Sequence, residues 1–105
     1  MDEAQLVRVL KALADRKRLR MTRAIAAAGE LSCGQVKAHF NLSQPTISHH
    51  LKMLADVGVL VVREAGRHHF ISVNQTLIRE IAAFLPTGVA ATPVRTRTGA
   101  RARRR

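Results

Sequence analysis

The chain lacks tryptophan and tyrosine, and its 105 residues include only three phenylalanines and one cysteine. Cys33 alone cannot form an internal disulfide, so no disulfide framework replaces a hydrophobic core. So few aromatic rings argue against base stacking on single-stranded nucleic acid. An apolar run of about 18 residues and a signal-peptide core are also missing. We therefore expect a soluble, cytoplasmic protein.

Acidic residues are scarce as well, with seven Asp and Glu against eighteen Lys and Arg and a formal net charge of +11. Residues 86–105 hold six of the arginines and no acid, which leaves twelve basic and seven acidic residues, or +5, before them. A polyanion is the natural partner of such a chain. Because residues 86–105 have no apolar periodicity, we expect one domain over 1–85 and a disordered Arg-rich tail.

The groups that carry catalysis are missing too. The sequence has no carboxylate pair, no nucleophile with a base at motif spacing and no glycine-rich phosphate loop. We expect neither an enzyme nor a cofactor.

Apolar periodicity and capping residues predict five helices. Leucines at helical spacing indicate a first helix over 3–14, and Asp15 can cap a second that stops at Gly29. The S-x-x-Q spacing of Ser32 and Gln35 is that of a capping box at the start of a short third helix. Asn74 can cap a fifth helix, which ends before Pro86.

A tight turn separates the third helix from the fourth. Asn41 tolerates the left-handed conformation and Ser43 can cap a helix from Gln44 to Val57 that stops at Gly58. Two runs rich in β-branched residues then predict a two-stranded hairpin with arginines at its tip. The expected fold is mainly α with this small hairpin: a winged helix-turn-helix of five helices plus a two-stranded wing.

The fourth helix separates its apolar and polar residues. At 100° per residue, Ile47, Leu51 and Leu54 face the core, and short hydrogen-bonding side chains cluster on the exposed N-terminal half. The side chains of Gln44, Thr46 and Ser48 can form hydrogen bonds with base edges. Phosphate groups are better bound by the basic residues Lys37, Lys52, Arg63 and Arg67. We expect His49 on the exposed face and His50 packed at its flank. The alternative to a DNA-binding surface is that these polar residues only cap the helix and face solvent.

Three strings follow one another within residues 6–74: "LKALADRKRLRM", "LSQPTISHHLKMLADVGVL" and "REAGRHHFISVN". Through these strings, this part of the chain resembles the ArsR/SmtB family of bacterial transcriptional repressors. It implies a helix-mediated homodimer that binds a palindromic operator, associated with the nucleoid when bound to DNA. The DNA-reading positions it implies are Ser43, Gln44, Thr46, Ser48, His49, Arg63, Arg67 and His68. The first and last helices would form the dimer interface through Leu6, Leu10, Leu77, Ile78, Ile81 and Phe84.

Metal-responsive members of that family carry "ELCVCDL", where this chain reads "ELSCGQV". Ser32 and Gly34 occupy the two thiolate positions, and the last helix has no Asp or His at the positions that zinc-binding members use. The side chains of adjacent histidines on a helix or strand point apart. We therefore do not expect His49 with His50, or His68 with His69, to bind one metal ion together. We expect no metal site, and no effector is indicated.

Cys33 has three interpretations: a buried filler, which is the commonest fate of a free cysteine, a redox-reactive thiol, or an intersubunit disulfide.

For the whole chain, two functions from different classes stay open. One is a sequence-specific repressor, and the other is a sequence-independent, architectural nucleic-acid-binding protein that relies on charge.

Overall fold

The computed structural model describes residues 1–86, so the expected disordered tail, except for Pro86, lies outside the described residues. The elements are α1 Glu3–Leu13, α2 Arg16–Ala28, β1 Leu31–Ser32, α3 Cys33–Phe40, α4 Gln44–Asp56, β2 Leu60–Ala65, β3 His68–Val73 and α5 Gln75–Phe84. The five helices and the winged helix-turn-helix order are as the sequence predicts. Within 1–86, no helix is long and apolar enough to cross a membrane.

Each of the five helices begins at a side-chain cap. The cap residue's oxygen accepts a hydrogen bond from the backbone N–H three residues later, which satisfies an amide that has no partner inside the helix. At α3 the bond is reciprocal, because the Gln35 side chain accepts from the Ser32 amide at 2.8 Å. The caps are Asp2, Asp15, Ser32, Ser43 and Asn74.

The connection between α3 and α4 is the tight turn expected from the sequence. Asn41 is the only non-glycine residue with positive φ among the described residues, with φ 50° and ψ 45°. Its amide donates to the Lys37 carbonyl at 3.1 Å and closes α3. Ser43 then starts α4, with Pro45 in the first turn, where a missing N–H is harmless. The turn thus fixes the direction in which α4 leaves.

The predicted hairpin is present as β2 and β3, and a third strand extends it to a three-stranded antiparallel sheet in the order β1-β3-β2. The extra strand β1 is only two residues long and pairs Leu31 with Ile71 and Ser32 with Phe70. A strand of two residues is too short to show the alternation of apolar and polar side chains, and its partners lie about 40 positions away in the sequence. A search for local sequence patterns therefore does not find β1. The turn between β2 and β3 falls at Gly66, whose φ is 62°.

The core lies between the helices and one face of the sheet. Its fully buried members come from α1, α2, α3, α4, the segment between α4 and β2, and β3, and each contributes about 1.5–3 kcal/mol relative to an exposed position. They are Val9, Met21, Ile25, Val36, Ile47, Leu54, Val59 and Ile71.

Helix α5 docks on the segment that ends α4. The Asn74 amide donates to the Val59 carbonyl at 2.9 Å, and its side-chain Nδ2 donates to the Gly58 carbonyl at 3.1 Å. Leu77 and Ile81 are 5% and 7% exposed within the single chain. They therefore pack mainly in the core of their own chain, and their part in the dimer interface stays a prediction.

Candidate nucleic-acid interface

Helix α4 presents a polar surface at its N-terminal half. Burial of Ile47, Leu51 and Leu54 fixes the rotation of the helix about its axis, as predicted. Exposed residues of α4 and its cap include Ser43, Gln44, Ser48, His49 and Lys52, with Thr46 half-buried. The predicted α4 residues are therefore all accessible, around and beside the side opposite the core.

Hydrogen bonds within the first turns hold these side chains in place. Ser43 Oγ accepts from the Thr46 amide at 3.3 Å and donates to Thr46 Oγ1 at 2.8 Å. Gln44 Nε2 lies 3.4 Å from Ser48 Oγ, a long bond that a base edge could replace. Pro45 has no N–H and the Thr46 amide is bonded to Ser43, so the helix dipole, together with the amide of Gln44, is what favours a phosphate at the same end.

A groove of about 690 Å³ separates this end of α4 from the wing. It brings Gln44 and Ser48 together with Arg67 and His68, four residues that the sequence predicted to meet DNA. His69 also borders the groove and was not predicted. The sequence could have pointed to His69 because it adjoins His68. It was not included because alternation along a strand predicts that the two rings lie on opposite faces.

Arg63 does not lie at the wing tip. Its guanidinium pairs with Glu30 through two bonds, Nε to Oε2 at 3.1 Å and Nη2 to Oε1 at 2.9 Å, and stacks 4.7 Å from the Phe70 ring centroid. The pair lowers the pKa of Glu30 and raises that of Arg63. Both groups are solvent-exposed, so water screens their attraction and the pair adds little to stability. Arg63 thus ties the wing to the segment after α2.

The two predicted phosphate-binding lysines are both exposed. Lys52 Nζ lies 3.1 Å from Asp56 Oδ2, one turn further along α4. An exposed i, i+4 pair contributes only about 0.3–0.5 kcal/mol, so Lys52 can exchange Asp56 for a phosphate. Lys37 lies on the surface of α3.

The adjacent histidines of α4 lie in different surroundings, as the sequence predicted. His49 is exposed, whereas His50 is half-buried with its Nδ1 3.4 Å from Nη1 of Arg18. Desolvation is the main cause that lowers the pKa of His50, and the Asp15 carboxylate opposes it. Arg18 also donates to the Ala12 carbonyl and thereby joins α1, α2 and α4.

Cys33 is half-buried and packs against the core. Burial raises the pKa of its thiol, the opposite of what a redox-reactive thiolate needs. The filler interpretation is therefore favoured. Within 1–86, no three His, Cys, Asp or Glu side chains come together in a metal-binding group.

Comparisons with known proteins agree on one family. A helix-turn-helix domain model matches residues 13–63. The arsenical resistance operon repressor of Staphylococcus aureus is 35% identical over 81 residues, which is 77% of each chain. The transcriptional repressor SdpR of Bacillus subtilis is 33% identical over 72 residues, 69% of this chain and 79% of that one.

A solved structure shares both the fold and recognisable sequence. It is a homodimeric winged helix-turn-helix DNA-binding domain from Mycobacterium bovis, described as a possible ArsR-family transcriptional regulator. It superposes with a TM-score of 0.68 at 26% identity, covering 76% of this chain and 74% of that one. Together with the two repressors, this match shows that the chain belongs to the ArsR family of winged helix-turn-helix, DNA-binding transcriptional regulators.

Proposed function

We propose that the protein is a homodimeric repressor that recognises a palindromic operator through α4 and the wing. The observation that carries this proposal is the exposed polar N-terminal half of α4 beside the wing groove. A recognition helix presents such residues to base edges in the major groove. A repressor of this kind works on the chromosome, which implies the cytoplasm and the nucleoid.

The side chains divide by chemistry into readers and anchors. Gln44 is long enough to bind adenine through two hydrogen bonds, and Thr46, Ser48 and His49 reach base edges or nearby phosphates. Phosphate binding, which positions the protein without reading sequence, falls to a second group. This group comprises Ser43, Lys37, Lys52, Arg67 and His68. Arg63, which the sequence also predicted to meet DNA, has the ion pair with Glu30 as its main role in this proposal, and through it supports the wing.

Dimer formation is supported by the apolar surface that the single chain leaves uncovered. Leu10 on α1 is 37% exposed and Phe84 on α5 is 48% exposed. Leu6 and Ile78 are half-buried beside the core and complete the proposed interface. The M. bovis relative is homodimeric. A two-fold axis would place two copies of α4 about one turn of DNA apart.

Regulation through a thiolate metal site at α3 is not part of the proposal. The Ser32 hydroxyl is engaged in capping, since it accepts from the Gln35 amide at 3.1 Å, and Gly34 has no side chain to offer. The S. aureus relative is named for arsenical resistance. Any signal that releases this protein from DNA would need a different ligand set.

The competing function is sequence-independent binding of nucleic acid, which the net charge of +11 favours. Selection of bound fragments from the source genome with purified protein, followed by competition with random duplex, separates the two. A repressor should prefer its selected operator by about a thousandfold or more. Equal affinity for operator and random duplex would establish the sequence-independent function instead.

The same assay tests α4 as the reader. Gln44→Ala should weaken operator binding by about 1–3 kcal/mol and relax the preference at one base pair of each half-site. Gln75→Ala, an exposed glutamine at the start of α5, is the matched control and should bind normally. Loss of affinity for random duplex to the same extent would show that Gln44 positions the protein and does not read sequence.

A further inference from the structure

A second concave basic surface lies outside the wing groove, between α2 and the C-terminal end of α3. Arg20 and Arg23 line one side of this cleft of about 400 Å³, with Ala24 beside them and His39 and Phe40 opposite. We call it the α2–α3 basic cleft. None of these residues was among those predicted to meet DNA.

The positive charge in the α2–α3 basic cleft is not neutralised within the described part of the chain. Helix α2 carries five basic residues and no acidic one. Within 1–86, the ion pairs are Lys52 with Asp56 and Arg63 with Glu30, which leave Arg20 and Arg23 without a carboxylate partner. Both arginines are exposed, and their spacing of three residues places them on the same side of α2. The cleft therefore attracts an anion with more than one charge.

The position of the cleft suggests which anion it meets. His39 precedes Ser43, the cap of α4, by four residues, so their Cα atoms are at most about 14 Å apart. The major groove that would receive α4 is about 12 Å wide and is bordered by a phosphate strand on each side. The wing groove is lined by Gly34, Gln35 and Ala38 of α3, whereas His39 and Phe40 line the cleft.

We propose that the α2–α3 basic cleft binds the phosphate backbone of DNA, so that α3 lies between two anchoring surfaces that flank the recognition helix. The guanidinium groups of Arg20 and Arg23 can each bind a phosphate through two hydrogen bonds. The His39 ring packs edge-on against Phe40, with centroids 4.8 Å apart, and offers a further donor. This inference rests on DNA as the partner but not on sequence-specific recognition.

The test compares salt dependence of binding for two double variants. Arg20→Gln with Arg23→Gln removes the cleft's charge, and Arg8→Gln with Arg79→Gln removes the same charge from exposed positions on α1 and α5. Each lost phosphate contact lowers the salt slope by about 0.9, so the cleft variant should lose about tenfold less affinity than wild type between 50 and 200 mM salt. The control should keep the wild-type slope. Both operator and random duplex are titrated.

The outcomes separate this proposal from the proposed function. A cleft variant with the slope of the control would overturn the phosphate contact, whether or not wild type prefers an operator. Equal binding of operator and random duplex by wild type would overturn the repressor and leave the slope comparison valid. Arg20→Lys with Arg23→Lys keeps the charge and should keep the slope, which guards against a folding defect in the glutamine variant. A lysine variant that lost the slope while folded would also contradict the proposal.

Discussion

The surroundings of His50 favour the neutral form of its ring. An arginine side chain can only donate hydrogen bonds, so Arg18 Nη1, 3.4 Å from His50 Nδ1, favours the tautomer whose Nδ1 carries no proton. Burial favours the same neutral ring, because desolvation lowers the pKa of His50. Helix geometry placed His50 at the flank of α4, but Arg18 is 32 positions away and could not be identified from the sequence.

Acid should weaken the fold through His50. Its folded pKa is below the usual 6.5, so the unfolded chain binds the proton more tightly. Stability is therefore fully present above pH 6.5 and falls as the pH drops from there through the lowered folded pKa. The charges nearest the ring are Asp15, which opposes the shift, and Arg18, Lys17 and His49, which promote it.

Urea unfolding at about pH 7.5 and about pH 5.5 measures this loss. In His50→Gln the amide oxygen can still accept from Arg18 but does not titrate, so this variant should lose less stability over the interval than wild type. Since the other four histidines are unchanged, the difference isolates His50. A variant with the full wild-type loss would contradict the assignment.

At the level of elements, the predictions that succeeded rest on interactions within one turn of chain. Caps such as Ser32 and Ser43 act on amides three residues away, so the sequence locates helix starts closely. The failures involve distant partners. Strand β1 exists because Leu31 meets Ile71, and Arg63, which pairs with Phe70 inside the hairpin, bonds to Glu30. No local pattern contains either contact.

The same distinction applies to the candidate site. The exposed polar residues of α4 follow from helical periodicity, because burial of Ile47 and Leu54 determines which residues are exposed. Surfaces between elements do not follow from periodicity. The placement of His69 in the wing groove and of Arg20 in the α2–α3 basic cleft becomes visible only once the elements that line each surface are packed together.

The turn before α4 should be sensitive to its left-handed residue. Asn41 has φ 50° and makes no side-chain bond among those described, so the conformation itself is what the residue supplies. Asn41→Ala should destabilise the protein by about 1 kcal/mol, because a Cβ without a local polar partner disfavours this region. Asn41→Gly is the control and should be nearly neutral. Equal stability of the two variants in urea would show that the turn is not strained.

For the whole molecule, charge is concentrated at the C-terminal end of the sequence. Residues 86–105 supply six of the eleven net positive charges. Deletion of these residues should reduce the salt slope of DNA binding and the affinity for random duplex, since contacts to phosphate depend on released counterions. The preference for operator over random duplex should persist. An unchanged slope would mean that the tail does not contact DNA.

The assembly expected of the whole molecule can be broken at one residue. In a two-fold dimer each interface residue occurs twice, so a single substitution introduces two charges at the same contact. Phe84→Glu on α5, or Leu10→Glu on α1, should therefore give monomers in sedimentation velocity at concentrations where wild type is a dimer, because a buried carboxylate costs several kcal/mol.

Leu19→Glu is the matched control for both dimer variants, since Leu19 is 43% exposed on α2, away from the proposed interface, and should leave the dimer intact. Operator affinity should fall with dimerisation in the α1 and α5 variants, because one α4 helix can read only one half-site. If the control dissociated as readily as the other two, the partner surface would include α2.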